Sequence, residues 1–528
     1  MSNSIGEIGS ASTIFAVGTN TTQAHPVLAL QVKKAARNGA KLIVANPKEI
    51  DLCRHAYLHL QQKPGTDVPL IMGMARVIVD EGLTDAEFIK ERCENYDELL
   101  ESLKPFDLDS VEKITGVPKD QIVEAARIYA KNSPSSILYT MGITQHTHGT
   151  DNVWALSNLA ILTGNIGKPS TGVNPLRGQN NVQGANDVGA LPDVYPGFQK
   201  VDIPEIQKKF EEAWGCNLSP TPGLTHSEIF DGIYDGKITS LYLVGENPVL
   251  SEADANHAVK AMKKLDFLVV QDIFLTETAQ LADVVLPAST FAEKDGTFTN
   301  TERRVQRIRQ AIAPVGESKP DWQITCQIAQ KMGASGFDFS SPEEIFTEIS
   351  SVTPAYGGIT YARLEKGGLQ WPCPTEDHPG TPILHTEKFN TASGKAKFMP
   401  LSYRQSAELP DSEYPLMLTT DRSLFHYHTG SMTRKVAGLD QLDSEELLKI
   451  HPKDASELGI DDSEMVRVSS RRGTTTVKAR LTKVCPPGLV SMTFHFAESP
   501  TNVLTNAALD PIAKTPETKV CAVKVEKI

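Results

Sequence analysis

Apolar and polar positions near the start of the chain fall into blocks. Thr13 to Val17 (TIFAV) is a short apolar run that ends at Gly18-Thr19-Asn20. PVLALQVKKAARNG follows with helical spacing, Pro26 near its start and Gly39 as its stop. KLIVANP reads as the next buried strand, closed by Pro47. Strand, turn, helix and strand in that order predict a parallel sheet with right-handed crossovers. The pattern recurs at 240–272, where SLYLV is the strand, Gly245-Glu246-Asn247 the turn, SEADANHAVKAMKKL the helix and DFLVVQD the next strand. ADVVLP at 282–287 adds a third strand to that sheet. FAVGTN and YLVGEN match as apolar strand, Gly, one residue, Asn, which reads as an internal duplication.

Between the two units the pattern is helical from 66 to 132, then comes ILYTMGITQHTHG and a Gly/Asn-rich tract. Past 320 lie a helix (DWQITCQIAQKMG) and a Trp/Pro connector around 371–390. From 413 onward PLMLTT, MVRVSS, TTTVKARL and GLVSMTFHF are short β-like runs, with HPKDASELGI as a helix among them. The expected architecture is α/β: two doubly wound parallel-sheet domains at 1–179 and 180–320, a helical connector at 321–400, and a mostly β module at 401–528.

Composition narrows the function classes. A chain of 528 residues with 40% hydrophobic and 22% charged residues is globular and too long for one core. With 52 basic and 65 acidic residues it carries −13, which argues against a general nucleic-acid coat and leaves room for a local basic pocket for phosphates. No apolar run is long enough for a membrane helix and no leader-like N-terminus is present, so the expectation is a cytoplasmic protein without a membrane segment. The seven cysteines (Cys53, Cys93, Cys216, Cys326, Cys373, Cys485, Cys521) are dispersed and form no C-x-x-C, which reads as reduced thiols with no local iron–sulfur or zinc signature and no metal ligands.

The candidate chemistry sits at turns. A Gly-x-Asn turn at the carboxyl end of a parallel strand is either plain turn structure or a place where the backbone approaches a phosphate. KPGTD at 63–67 is explained by a Pro-Gly turn with Asp67 as a helix cap, or by Asp67 accepting from a guanine edge. The tract 162–193 holds six glycines, five asparagines, two glutamines and a single arginine, Arg177. It is neither Ser-rich nor repetitive, as a flexible linker would be, and its amides suit a large polar ligand. Arg177 is the only cation between Lys168 and Lys200, and a guanidinium fork fits a carboxylate. In MGITQHTHG, His146 and His148 are two apart and on a strand would share a face, but no third metal ligand is nearby, so they read as solvated or hydrogen-bonded histidines, whereas Gln145 beside Gly142 is placed to reach a ligand. DRSLFHYHTGSMTR and TFHFAESPTNVLTN read as core and turn residues, or as a polar pocket wall with Arg422, His426, His495 and Asn502.

Taken together, VGTNTTQAHPV, PGTDV, LTGNIGKP, RGQNNVQGANDVGALPD, GENP, QDIFLTETAQLADVVLP, NTERRVQ and LDPIAKTPETKVCAVKVE resemble the catalytic alpha subunit of molybdenum- or tungsten-dependent formate dehydrogenases, in the molybdopterin oxidoreductase family. The resemblance runs the length of the chain. It implies two molybdopterin guanine dinucleotides on one metal and a C-terminal double-psi β-barrel. By motif match, Asn20, Asn46, Lys48, Gly65, Asp67, Gly142 and Gln145 would serve one dinucleotide, and Gly245, Asn247, Gln271 and Asp272 the other. Gln179, Arg422, His426, Ser431, His495, Asn502 and Lys514 complete the implied cofactor set, and Arg177 would hold formate. Where the family often has Asp-Pro-Arg, this chain has Asn46-Pro47-Lys48. The implied partners are formate and electron-transfer subunits of iron–sulfur, flavin/NAD, ferredoxin or hydrogenase type, with no nucleic acid. The family's four-cysteine 4Fe-4S motif and its metal-binding cysteine or selenocysteine, followed by histidine, lie upstream of the stretch matching MSNSIGEIGSA. They are absent here, so the expectation is a chain truncated at a selenocysteine codon and inactive alone. An in-frame TGA upstream of Met1 would check this. The alternatives are a cofactor-free scaffold relative and a sibling oxidoreductase acting on another oxyanion.

Overall fold

The computed structural model describes Met1–Ile528. Two compact units make up the chain: Met1–Leu176, Leu250–Asn256 and Ile383–Ile528 form the first, and Arg177–Val249 and His257–Pro382 the second.

The first unit contains a five-stranded parallel sheet in the order Leu58–Leu60, Lys41–Ala45, Thr13–Val17, Ser135–Tyr139, Val173–Pro175. Its central strands are buried along their whole length because successive side chains enter different cores. Phe15, Val17, Ile43, Ala45, Ile137 and Tyr139 pack under the helices Asp67–Asp80, Lys119–Lys131 and Gly149–Leu162. Ile14, Ala16, Leu42, Val44 and Leu138 pack with Leu28, Val32 and Ala35 of the helix Pro26–Arg37. That helix has Pro26 at its first turn and is followed by Gly39 at φ +101°, as the start and stop signals require.

The same unit carries a closed six-stranded barrel in the order Leu416–Thr420, Leu489–Met492, Leu447–Ile450, Thr474–Leu481, Met465–Ser469, Cys521–Lys527. Four of these strands coincide with the β-like runs. Leu447–Ile450 and Cys521–Lys527 do not, and they are the ones that close the sheet and remove its edges. The core is an aliphatic cluster that includes Leu418, Leu448, Val466, Val477, Val490 and Val523.

The second unit holds a three-stranded parallel sheet, Val284–Pro287, Phe267–Asp272 and Ser240–Val244. It also holds an antiparallel sheet, Gly296–Thr299, Arg304–Ile308 and Leu369–Gln370, that the pattern did not announce. Three further readings change. The helix expected after GENP is split into Pro248–Ser251 and Ala255–Met262, with Asp254 at φ 48° between them. The tract 162–193 contains the strand Val173–Pro175 and the helix Val182–Asp187, and some of its amides bond within it, Asn174 to the Thr171 carbonyl at 3.2 Å and Gln183 to Asp187 at 2.7 Å. Asp67 is the first residue of its helix; Thr66 occupies the cap position. No helix is long and apolar enough to cross a membrane.

Candidate cofactor and anion site

The carboxyl ends of the first sheet converge on two glycine turns that touch each other. Gly18 has φ +55°, and a Cβ on Gly142 would lie 2.5 Å from the Gly18 carbonyl oxygen. Only two bare backbones pass at that distance. Gly65, at φ +77°, faces the Ser406 hydroxyl, which a Cβ would meet at 2.3 Å. Asn20 is engaged with its own turn, donating to Gln23 Oε1 at 2.6 Å and accepting from Thr22 Oγ1 at 2.9 Å. Asn46 Oδ1 accepts from the backbone N–H of Lys48 at 3.0 Å, which fixes the Asn-Pro-Lys turn. Asp67 is buried and accepts from Gln62 Nε2 at 3.0 Å; desolvation raises its pKa, and nearby His146 pulls it back down.

His146 and His148 do not lie on a strand, and of the two only His146 is hydrogen-bonded as expected. The strand ends at Tyr139, a short helix Met141–Thr144 intervenes, and the two rings stack at 5.3 Å in the following turn. His146 Nε2 donates to the Gly142 carbonyl at 2.9 Å, and its Nδ1 faces Glu517 Oε1 at 3.8 Å. His148 is 1% exposed, and neither of its ring nitrogens makes a hydrogen bond. Burial, with His146 beside it, pushes its pKa down to about 4. Thr19 Oγ1, Thr21 Oγ1, Gln62 Oε1, Gln145 Oε1 and Ser406 Oγ are likewise buried without a partner in the chain. Buried polar atoms are normally satisfied, so this many unsatisfied donors and acceptors along one sheet end fit a polar ligand with hydrogen-bonding edges, as a guanine dinucleotide has.

Lys48 ties this edge to the barrel. Its ammonium pairs with the buried carboxylate of Asp421 and lies 3.4 Å from Ser491 Oγ. Lys449 reaches the same Asp421 oxygen at 3.3 Å. Burial opposes ionisation of Asp421, but Lys48 and Lys449 outweigh it and hold the carboxylate well below its usual range. Lys519 donates to the Thr420 carbonyl at 2.8 Å, and burial, reinforced by Arg422, lowers its pKa to about 7. Arg422 stacks over Phe494 at 4.0 Å. Glu446, bound to Thr493 through its N–H at 2.8 Å and its hydroxyl at 2.5 Å, is raised to about 7 by burial. Four basic side chains, Lys48, Lys449, Lys519 and Arg422, thus gather around Asp421 and Glu446, a surplus of basic groups that suits a phosphate-bearing ligand. Asp421, Glu446, Lys449 and Lys519 were not singled out from sequence. The Thr-Asp-Arg at the end of the PLMLTT run was the available signal.

Other barrel residues are held by their own chain. His495 donates to the His428 carbonyl and accepts from Ser423 N–H at 3.0 Å; burial lowers its pKa to about 3. His426 Nε2 donates to the Asp443 carbonyl at 2.5 Å. Ser431 pairs with Thr429 through their hydroxyls at 2.9 Å. Asn502 donates to the Leu250 carbonyl at 2.7 Å. Lys514 stands at φ 55°, its N–H donating to the Asp510 carbonyl at 3.0 Å.

In the second unit Gly245 has φ +63°, matching Gly18, with open space around its missing side chain. Asn247 is bound into the following turn, donating to Glu277 Oε2 at 2.8 Å and accepting from Thr278 Oγ1 at 2.7 Å. Gln271 accepts from Tyr242 and donates to Asp321 Oδ1 at 2.7 Å. Asp272 Oδ1 accepts from the Phe274 N–H at 3.1 Å, the same side-chain turn that Asn46 makes. Arg177 is exposed, with its N–H on Thr301 Oγ1 at 3.0 Å, and Gln179 is exposed beside it. No group of three His, Cys, Asp or Glu side chains is placed to hold a metal ion.

The profile of the molybdopterin oxidoreductases matches residues 1–331, and that of the molybdopterin dinucleotide-binding domain matches residues 416–522. The chain is 53% identical over 530 aligned positions to the F420-dependent formate dehydrogenase subunit alpha of Methanocaldococcus jannaschii, covering 100% of this chain and 78% of that protein. It is 40% identical to formate dehydrogenase H of Escherichia coli, covering 100% of this chain and 74% of that one. Acetylene hydratase from Pelobacter acetylenicus shares the fold at TM-score 0.78 and 20% identity, over 99% of this chain and 81% of that one.

Proposed function

The chain belongs to the molybdopterin oxidoreductase family, and from that premise we propose that it is the catalytic part of a formate dehydrogenase that oxidises formate to CO2. The observation that carries the reading is Arg177: an exposed guanidinium, the only cation between Lys168 and Lys200, in the amide-rich tract of a chain 53% identical to a formate dehydrogenase alpha subunit. A planar guanidinium takes both oxygens of a carboxylate and leaves the C–H bond facing away from the fork.

A bis(molybdopterin guanine dinucleotide) metal centre, when bound, supplies the acceptor for the two electrons of that bond. The chain's own part is to hold the dinucleotides and the substrate. Asn20, Asn46, Lys48, Gly65, Asp67, Gly142 and Gln145 are assigned to one dinucleotide, with the unsatisfied His148 and Ser406 atoms added. Gly245, Asn247, Gln271 and Asp272 are assigned to the other. Arg422, His426, Ser431, His495, Asn502 and Lys514 are assigned to the barrel's share, now joined by Lys449 and Lys519. Formate leaves as CO2, releasing one proton and two electrons. An iron–sulfur cluster and partner subunits in the cytoplasm receive the electrons in this reading, and the F420-dependent relatives favour F420 as the final acceptor.

The test is a full-length holoenzyme assayed for molybdenum, tungsten and pterin, and for formate-dependent dye reduction. Arg177→Gln is expected to raise the formate KM roughly a hundredfold. Absence of metal and pterin from the purified enzyme favours the scaffold relative. A loaded enzyme indifferent to formate favours a sibling acting on another oxyanion.

A further inference from the structure

Asp187 ends the short helix that follows Arg177 and is 1% exposed. Its Oδ2 accepts from Tyr356 Oη and Trp371 Nε1, both at 2.6 Å, and its Oδ1 accepts from Gln183 Nε2 at 2.7 Å. All three donors are neutral, so none of them by itself calls for a buried charge. The reason for a carboxylate lies in its cationic neighbours.

Arg303 is buried, donates to the carbonyls of Trp371, Thr381 (2.9 Å) and Pro382 (3.2 Å), and lies over the Trp371 ring at 5.5 Å. Burial raises the pKa of Asp187, and its three hydrogen-bond donors and Arg177 oppose that shift; Asp187 in turn supports the charge on buried Arg303. Arg177 is tied to the same platform through its backbone: its main-chain N–H donates to Thr301 Oγ1, and Thr299 meets the Tyr356 hydroxyl at 3.3 Å. The remaining charges here are Glu302 and Arg304, which neutralise each other at 2.8 Å. Two guanidiniums against one carboxylate leave one positive charge.

We propose that Asp187 is a positioning residue for the anion site at Arg177: it is the buried counter-charge that leaves this cluster a single net positive charge, matched to a monoanion, and it pins the helix after Arg177 to Tyr356 and Trp371. The choice of formate as that monoanion rests on the function proposed above; the charge balance does not.

Asp187→Asn keeps an oxygen for Tyr356 and Trp371, and a flipped Gln183 amide accepts from the new Nδ2. The variant therefore removes charge with little change of shape. In the full-length holoenzyme it is expected to lower both the formate KM and the calorimetric Kd for sodium nitrate by about tenfold, one unit charge at short range. Sodium sulfate should begin to compete with formate. Tighter anion binding is an outcome that damage to the fold does not produce. An unchanged or raised nitrate Kd in a folded variant overturns the proposal. If the variant does not accumulate, the wild type still decides: nitrate is expected to bind at least ten times more tightly than sulfate at equal ionic strength, and equal or stronger sulfate binding overturns the proposal. Absence of formate oxidation by the loaded wild type sinks the formate reading alone, because the nitrate titration judges Asp187 independently of turnover.

Discussion

At the scale of single residues, buried charge is where this chain is most sensitive. Asp421 is the shared counter-ion of Lys48 and Lys449, and replacing it by asparagine strands one buried and one half-buried ammonium. Asp421→Asn is expected to cost about 3 kcal/mol in urea unfolding, since removing one partner leaves the other charge uncompensated. His148 gives a pH signature with a definite sign. Its folded pKa of about 4 lies below its ordinary value of 6.5, so the unfolded chain binds a proton that the folded chain refuses. The neutral ring's contribution is present above pH 6.5 and is lost as pH falls toward 4, about 3 kcal/mol in all. The neighbours that set this value are His146, Glu517, Arg404 and Asp510. Unfolding free energy measured at pH 7 and at pH 4.5 should converge in His148→Gln relative to the wild type. A variant that retains the full acid slope places the proton elsewhere, for instance on His495. Sequence alone pointed to Lys48 and Arg422 through their motifs, but not to Asp421, Lys449 or Asp187. A counter-charge has no spacing rule and is recognised only when the fold brings its cation alongside.

At the scale of elements, legibility followed the physics of each pattern. Apolar runs buried on both faces, such as Thr13–Val17, stand out because the signal is continuous. The strand Leu447–Ile450 was hidden because it is only four residues long and runs directly into His451-Pro452, which open the next helix, and Leu369–Gln370 is only a two-residue pairing in a connector. The two Gly-x-Asn turns did keep matching conformations, with glycine at φ +55° and +63°, although their surroundings differ. Gly142 matters for space and not for φ. In Gly142→Ala the new methyl would stand 2.5 Å from one backbone atom of Gly18 and 2.7 Å from another, neither able to step aside. The expected loss is about 1–3 kcal/mol, the range of forced overpacking, while Gly6→Ala, with nothing within 4 Å, should be near neutral. Thermal unfolding of the two variants side by side checks this, and equal melting temperatures would show that the turn relaxes.

At the scale of the whole molecule, the two parallel sheets are covered differently. The first is buried on both faces. The second is packed on one face, where Leu243, Leu268 and Val270 enter its core. On the other face the register sets Tyr242, Val269 and Val284 side by side in one row, with Val244 and Phe267 adjoining. Tyr242 is 42% exposed, Val244 48%, Phe267 46% and Val284 39%. A contiguous apolar row of this kind is unusual on a soluble surface and attracts other apolar surface. The isolated chain of 528 residues is therefore expected to bind the dye ANS in its native state. The double variant Val244→Lys and Val284→Thr should reduce that fluorescence several-fold while leaving far-UV circular dichroism unchanged, because both side chains point away from the packed face. Unaltered ANS binding in the double variant would move the source to a different patch, such as the exposed Phe291, Ile312 and Val315. A wild-type chain that binds no dye would mean that this sheet face is covered in solution.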